Sequence, residues 1–219
     1  MAKIKIGNVR TPVEYLKQFF APVGYGLGSS GKRMTDADDL DTTWQSGWYR
    51  WGDSVPNNAP TIKANNRYGY MRVDGSDEGT FVQTVYSVLG DSKGLAVTRN
   101  VTEGVFGEWE YINPPMVFNK EYRTTERRNG MPVYRKVVTY KPDATISGSF
   151  VVPHGIDNFD ALVDAFATIN ATIPLPLTEN NYTTALRSVE SSGIHVSNSN
   201  PYFDQNYIWY FYLAYTKKD

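Results

Sequence analysis

Cysteine is absent from all 219 residues, which excludes disulfides and thiolate metal sites and fits synthesis in a reducing cytoplasm. Histidine occurs twice, as His154 and His195. A metal centre needs more ligands than that, and neither histidine sits in an H-x-x-x-H pattern. No window approaches the ~20 apolar residues of a membrane span, and MAKIKIGNVR has no apolar run of signal-peptide length. An excess of charge is missing too. Lys and Arg total 22 against 23 Asp and Glu, a net charge of −1. Such a balance gives no general attraction to nucleic acid or to anionic membranes. Internal repeats and low-complexity tracts are also lacking, which argues against a repeat-built solenoid or array.

What is plentiful is tyrosine, 16 residues in a chain that is 14% aromatic. Tyr-rich, turn-rich composition favours β structure and wet recognition surfaces. Charge is unevenly spread. Residues 1–35 carry six Lys/Arg against Glu14 alone, and residues 36–115 carry six against twelve acids. The basic head reads as a separate element. Thr11-Pro12-Val13-Glu14 has the form of a capped helix start, with Val13, Leu16, Phe19 and Phe20 as an apolar stripe. Barely two and a half turns long, this helix needs a partner to cover that stripe. GYGLGSSGK (24–32) follows with linker composition.

From residue 36 onward the pattern is short strands between turn clusters. GWYRW (47–51), YGYMRV (68–73), TFVQTVYS (80–87) and GLAVTRN (94–100) form one group, and NPPM (113–116) marks a boundary. VYRKVVTY (133–140), SGSFVVPHGI (147–156), ALRSVE (185–190) and GIHVSN (193–198) form a second group. DNFDALVDAFATI (157–169) fits either a helix, through Phe159, Leu162, Val163 and Phe166, or a buried strand. The last strand, from Tyr207 to Tyr215, is bulky on both faces. A strand with one wet face alternates instead, so this one is expected to pack inside its domain on one side and against another copy on the other.

DLDTTWQSGWYR, YGYMRVDG, GTFVQTVYS, GLAVTRN and FGEWEYI, in that order over residues 39–111, resemble the pyocin-knob domain of phage tail fibres and contractile-tail particles. Gly47, Trp48, Tyr49, Gln83, Arg99 and Trp109 carry the likeness. EYRTTERRNGMPVYRKVV (121–138), VPHGI (152–156) and the closing aromatic strand with YTK (215–217) are similar to a C-terminal module of phage fibre proteins, and KIKIGNVR-x-P to a fibre N-terminal stub. The resemblance implies a virion appendage, usually trimeric, attached near its N-terminus and meeting the host with its distal β domains.

Motifs for chemistry are weak by comparison. DADDLD (36–41) lacks the central Gly and distal Glu of a Ca²⁺ loop and reads as a turn. GYGLGSSGK misses the Walker spacing. No pattern singles out a catalytic, cofactor or metal residue, and the chain is read as a binding protein and not an enzyme. Trp44, Trp48, Trp51, Tyr68 and Tyr70 cluster near the front of the middle domain. Trp48 and Trp109 are assigned to its core, and Trp44 and Trp51 to its surface as candidate sugar contacts. In the last domain the run SNSNPYF suggests either an exposed tip, with Asn198, Asn200, Tyr202 and Phe203 as sugar contacts, or a hydrophobic plug that closes the sandwich. Asn129-Gly130 reads as a hairpin turn.

The sequence thus implies a mainly β chain: an N-terminal helix and attachment segment (1–35), a knob-like antiparallel domain (36–115) and a C-terminal β-sandwich or jelly roll (116–219). The expected function is host attachment by a phage fibre or spike, with a surface glycan as ligand. The alternative is a head or tail connector that touches only virion proteins. Expected partners are two further copies in a homotrimer through Tyr207, Trp209, Tyr210, Phe211 and Tyr212, other virion proteins through Val13, Leu16, Phe19 and Phe20, and host polysaccharide. The expected place is the virion, after synthesis in the host cytoplasm.

Overall fold

Why these residues fold as sheets is visible in their alternation. The computed structural model describes residues 31–60, 68–75, 79–87, 94–146, 148–179, 182–199, 203 and 206–218. The helix expected after Thr11, with Val13, Leu16, Phe19 and Phe20, lies outside them, as do Asn200 and Tyr202. Among the described residues the fold is mainly β, in two compact units that divide between Asn113 and Pro114, inside NPPM.

The first unit contains β1 (Lys32–Arg33), a 3-10 turn (Leu40–Thr42), β2 (Gly47–Trp51), β3 (Gly69–Gly75), β4 (Phe81–Ser87), β5 (Ala96–Thr102), β6 (Val105–Phe106) and β7 (Glu110–Tyr111). Strands β2 to β5 form an antiparallel meander with β7 beside β5, and β1 adds to β2 in parallel. Period-two alternation buries Tyr49 and Trp51 of β2, Met71 and Val73 of β3, Phe81 and Val85 of β4, and Val97 and Val101 of β5 on one face. Met34 joins that core, so the segment read as an attachment head contributes its last residues to the β unit.

The same face buries two polar residues in register. Gln83 of β4 lies opposite Arg99 of β5. Gln83 Nε2 donates to the carbonyls of Leu40 (2.8 Å) and Thr43 (2.7 Å), while its Oε1 accepts from Arg99 Nε (2.9 Å). Arg99 also pairs with Asp41 at 2.6 Å and lies over the rings of Phe106 and Trp109. Burial pushes the Arg99 guanidinium below its ordinary value, opposed by Asp41. This network ties the 3-10 turn to the sheet. The acidic run is structural too: Asp38 accepts from Thr35 N (2.7 Å) and Asp39 caps the 3-10 turn through Asp41 N (2.8 Å).

The second unit contains β8 (Glu121–Arg128), β9 (Met131–Tyr140), β10 (Phe150–Val152), β11 (Phe159–Ile169), β12 (Ile173–Pro174), β13 (Leu177–Glu179), β14 (Tyr182–Glu190), β15 (Gly193–Asn198) and β16 (Trp209–Lys217). One sheet runs β8-β9-β16-β11-β12 and the other β10-β15-β14-β13. Residues from both fill one core, with Val138, Ala167, Ile169, Trp209 and Phe211 from the first and Val152, Val189, Ile194 and Val196 from the second. This is a β-sandwich. Asn129 (φ 52°) and Gly130 (φ 82°) turn β8 into β9, the two positive φ angles that such a hairpin requires.

Residues 159–169 are strand. Two bulges in the β11–β16 pairing, between Phe159 and Ala161 and between Leu162 and Asp164, shift the alternation. Leu162 and Ala165, three residues apart, therefore face the same side, opposite Tyr215 and Leu213. The bulges account for Phe159 and Leu162 sharing the inner side, whereas Phe166 faces outward beside Tyr212.

Candidate ligand-binding face

The outer face of the first unit's sheet gathers what the inner face excludes. Trp48 lies opposite Arg72, and Arg33, Arg50, Tyr70 and Tyr86 follow one another in register across β1, β2, β3 and β4. Trp48 is 38% exposed, with its ring 6.1 Å from that of Tyr86. Trp51, by contrast, is 3% exposed. The expected roles of these two tryptophans are exchanged, because Trp51 shares the parity of Tyr49 and Trp48 does not. Gly69 stands opposite Trp51, and a Cβ there would strike the indole ring, so this glycine is what lets the ring lie down. Trp109 is half-buried against the core and Trp44 is 40% exposed.

At the end of this face lies a cleft of about 400 Å³, lined by Arg33, Arg50, Trp51, Asp53, Tyr68 and Tyr70 among others. Tyr68 donates its hydroxyl to Asp53 Oδ1 (3.2 Å), and Arg50 Nε donates to the Gly31 carbonyl (3.3 Å). Sequence reading found the two tyrosines but missed Arg33, Arg50 and Asp53. The signal was present in W-Y-R-W: once Tyr49 and Trp51 are inward, Arg50 must point outward.

The sugar contacts expected at the other end of the chain are placed differently. Phe203 is 4% exposed and meets the rings of Tyr207 and Trp209 edge to face at 5.1 and 5.4 Å. It is a plug of the sandwich and not an exposed platform. Asn198 is 2% exposed; its Oδ1 accepts from Thr184 Oγ1 (2.7 Å) and its Nδ2 donates to the Ile146 carbonyl (2.9 Å). Both side chains serve the fold, and Asn200 and Tyr202 lie outside the described residues. Of the residues expected at an oligomer interface, Trp209 and Phe211 are fully buried in their own sandwich and Tyr207 packs against that core. The outward residues of β16 are Tyr210 and Tyr212, beside Phe118 and Phe166.

Both histidines have structural surroundings. His154 bonds the Glu190 carbonyl through Nε2 (2.8 Å) and accepts from Ile156 N at Nδ1 (3.0 Å), the pattern of a neutral ring with its proton on Nε2. His195 Nε2 lies 3.1 Å from Ser192 Oγ and 4.0 Å from Glu190. In a nucleophilic triad the acid orients the opposite ring nitrogen; here both partners crowd one nitrogen.

The chain is similar to pyocin tail fibres. A C-terminal part of the P. aeruginosa R1 pyocin fibre matches at 12% identity over 87% of this chain and 69% of that one, with a TM-score of 0.33. A C-terminal part of the P. aeruginosa R2 pyocin fibre matches at 12% identity over 87% and 68%, with a TM-score of 0.34. An N-truncated R2-type pyocin tail fibre matches at 13% identity over 85% and 99%, with a TM-score of 0.31. With scores this low, no residue of this chain is equated with a residue of those fibres. No family model and no curated protein matches the chain.

Proposed function

We propose that this chain is a phage-type fibre or spike protein that attaches its particle to the host cell by binding a surface glycan. The observation that carries the reading is the aromatic face of the first unit, where Trp48, Tyr68 and Tyr70 stay 38–41% exposed while a cleft opens beside them. Rigid aromatic faces provide large contact area at low entropy cost, which suits flat sugar rings. The ordered motifs of the sequence support the particle context. Gln83, Arg99 and Trp109, which carry the likeness to knob domains, meet in one buried network, as a framework motif should. The reading includes a homotrimer and attachment to the virion through residues N-terminal to β1.

The test is direct. The purified full chain should bind a subset of bacterial polysaccharides on a glycan array and should compete with particle adsorption to host cells. A chain that binds no glycan and leaves adsorption unchanged is instead a connector between virion proteins.

A further inference from the structure

The cleft beside β1 has more chemistry than aromatic stacking needs. Arg33 and Arg50 are direct neighbours across the parallel β1–β2 pair, where strands stand about 4.8 Å apart. Like charges placed opposite each other on one sheet face destabilise it. Two other exposed arginines are compensated, Arg72 by Asp74 and Arg135 by Glu126. Neither Arg33 nor Arg50 has an acidic partner among the described residues, although Asp53 lines the same cleft and is engaged by Tyr68. Trp51 closes the cleft from the core side. A volume of about 400 Å³ is of the size that holds a small ligand.

We propose that this cleft binds an acidic saccharide. A sugar ring lies against Tyr68 and Tyr70, the guanidinium groups of Arg33 and Arg50 hold its anionic oxygens, and Asp53 accepts a sugar hydroxyl. Guanidinium forks match the paired oxygens of a carboxylate or phosphate, so the group recognised is shared by uronic acids and sugar phosphates. A nucleic-acid strand fits less well. It would need a stripe of cations along its backbone, and here two cations sit beside an acid in a chain of net charge −1. The inference rests on the glycan-binding reading above and assigns it a place and a charge.

The test uses the full chain, titrated by NMR with a galacturonic acid trisaccharide, a galactose trisaccharide, glucose 6-phosphate and triglutamate. The uronate should bind at least ten-fold tighter than the neutral trisaccharide, and salt should weaken only the charged ligands. Comparing the uronate with glucose 6-phosphate tells a carboxylate source from a phosphate source. The double variant Arg33→Ala/Arg50→Ala should reduce uronate binding to the neutral level, and Tyr70→Ala should weaken both sugars, with melting temperatures unchanged because these side chains are exposed. Triglutamate binding as tightly as the uronate would overturn the sugar assignment. Equal uronate binding by wild type and double variant would overturn the arginine site. If that variant still reads a bacterial glycan array like the wild type, the glycan-binding function stands and only this site is wrong; if neither protein binds any glycan, the proposed function falls as well.

Discussion

At the scale of single residues, several polar groups buried in the cores answer to one another. Gln83 is the clearest case. It is fully buried and holds two carbonyls of the Leu40–Thr43 segment while accepting from Arg99. Gln83→Leu keeps the volume but removes the partner of Arg99 Nε and of the Thr43 carbonyl, while Arg99 keeps Asp41 and the Leu40 carbonyl keeps Thr43 N. Leaving buried hydrogen-bonding groups unmet costs about 1–3 kcal/mol, so the first unit's urea midpoint should fall more than for the surface change Arg72→Gln. A midpoint shift no larger than that control would remove the network's structural role. Tyr215 offers a second case. Its hydroxyl donates to Glu121 beneath Lys217, and burial first, then Glu121, pushes the phenol well above its ordinary value. The folded state therefore keeps this proton after the unfolded state has released it near pH 10. Stability is full below that pH and falls above it, by about 1.4 kcal/mol per pH unit for one such group. Lys136 works in the opposite direction, since burial lowers its value, but it is common to wild type and Tyr215→Phe. Denaturant melts at pH 9 and 11 should show a smaller loss for the variant; equal losses would refute the assignment.

At the scale of elements, parity decides which side chains are available. In β2 it sends Trp51 inward over Gly69 and Trp48 outward. Gly69→Ala should therefore displace the Trp51 ring, shifting its fluorescence and lowering the melting temperature of the first unit, while Gly104→Ala, at a turn with open space around it, should leave the fluorescence alone. In the second unit Phe203→Ala should cost about 3–5 kcal/mol as a large-to-small core change. Its ring fills the edge-to-face contacts to Tyr207 and Trp209; a variant of normal stability with weakened sugar binding would restore the exposed-tip reading. These elements also show what the sequence discloses. Strand positions were legible because alternation and turn residues are local signals: GIHVSN (193–198) coincides with β15, and Asn129-Gly130 turns the hairpin it announces. Burial was less legible where a strand could take either parity, as in W-Y-R-W, and where bulges reset the count, as in β11. Asn198 and Phe203 were read as exposed because SNSNPYF has the composition of a surface loop, yet they spend their polar and apolar groups on the sandwich. Arg33 escaped notice because its relation to Arg50 is a parallel pairing between distant residues, which no local pattern encodes.

At the scale of the whole molecule, the two-faced final strand is half explained by its own unit. Trp209, Phe211, Leu213 and Tyr215 fill the sandwich. The other face of β16 carries Tyr210 and Tyr212, extended by Phe118, 54% exposed, and Phe166, 52% exposed. Phe166 and Tyr212 stack at 4.2 Å with an interplanar angle of 6°, and Phe118 lies 5.3 Å from Tyr210. Arg135 and Asp164 flank Ala214 in the adjoining row, so the aromatic patch has a charged border. An aromatic centre with a polar rim is the anatomy of a protein interface. The occupant proposed here is a second copy of the same chain, repeated around a closed three-fold axis, which leaves no sticky patch exposed on any copy. Closure of this kind also suits attachment. Three weak sugar sites carried by one trimer would bind a repetitive surface with an avidity that can exceed a single site by on the order of 10²-fold or more. Light scattering of the full chain at micromolar concentration should accordingly give three times the 24.7 kDa monomer mass. Tyr212→Glu, which puts a charge into the proposed contact without touching the sandwich core, should return the mass to 24.7 kDa while keeping the far-ultraviolet circular dichroism and the affinity for a free oligosaccharide. Adsorption to cells should then fall far more steeply than that single-site affinity. A wild-type chain of monomer mass would end the trimer proposal outright, and a Tyr212→Glu chain that stays trimeric would move the interface to another face.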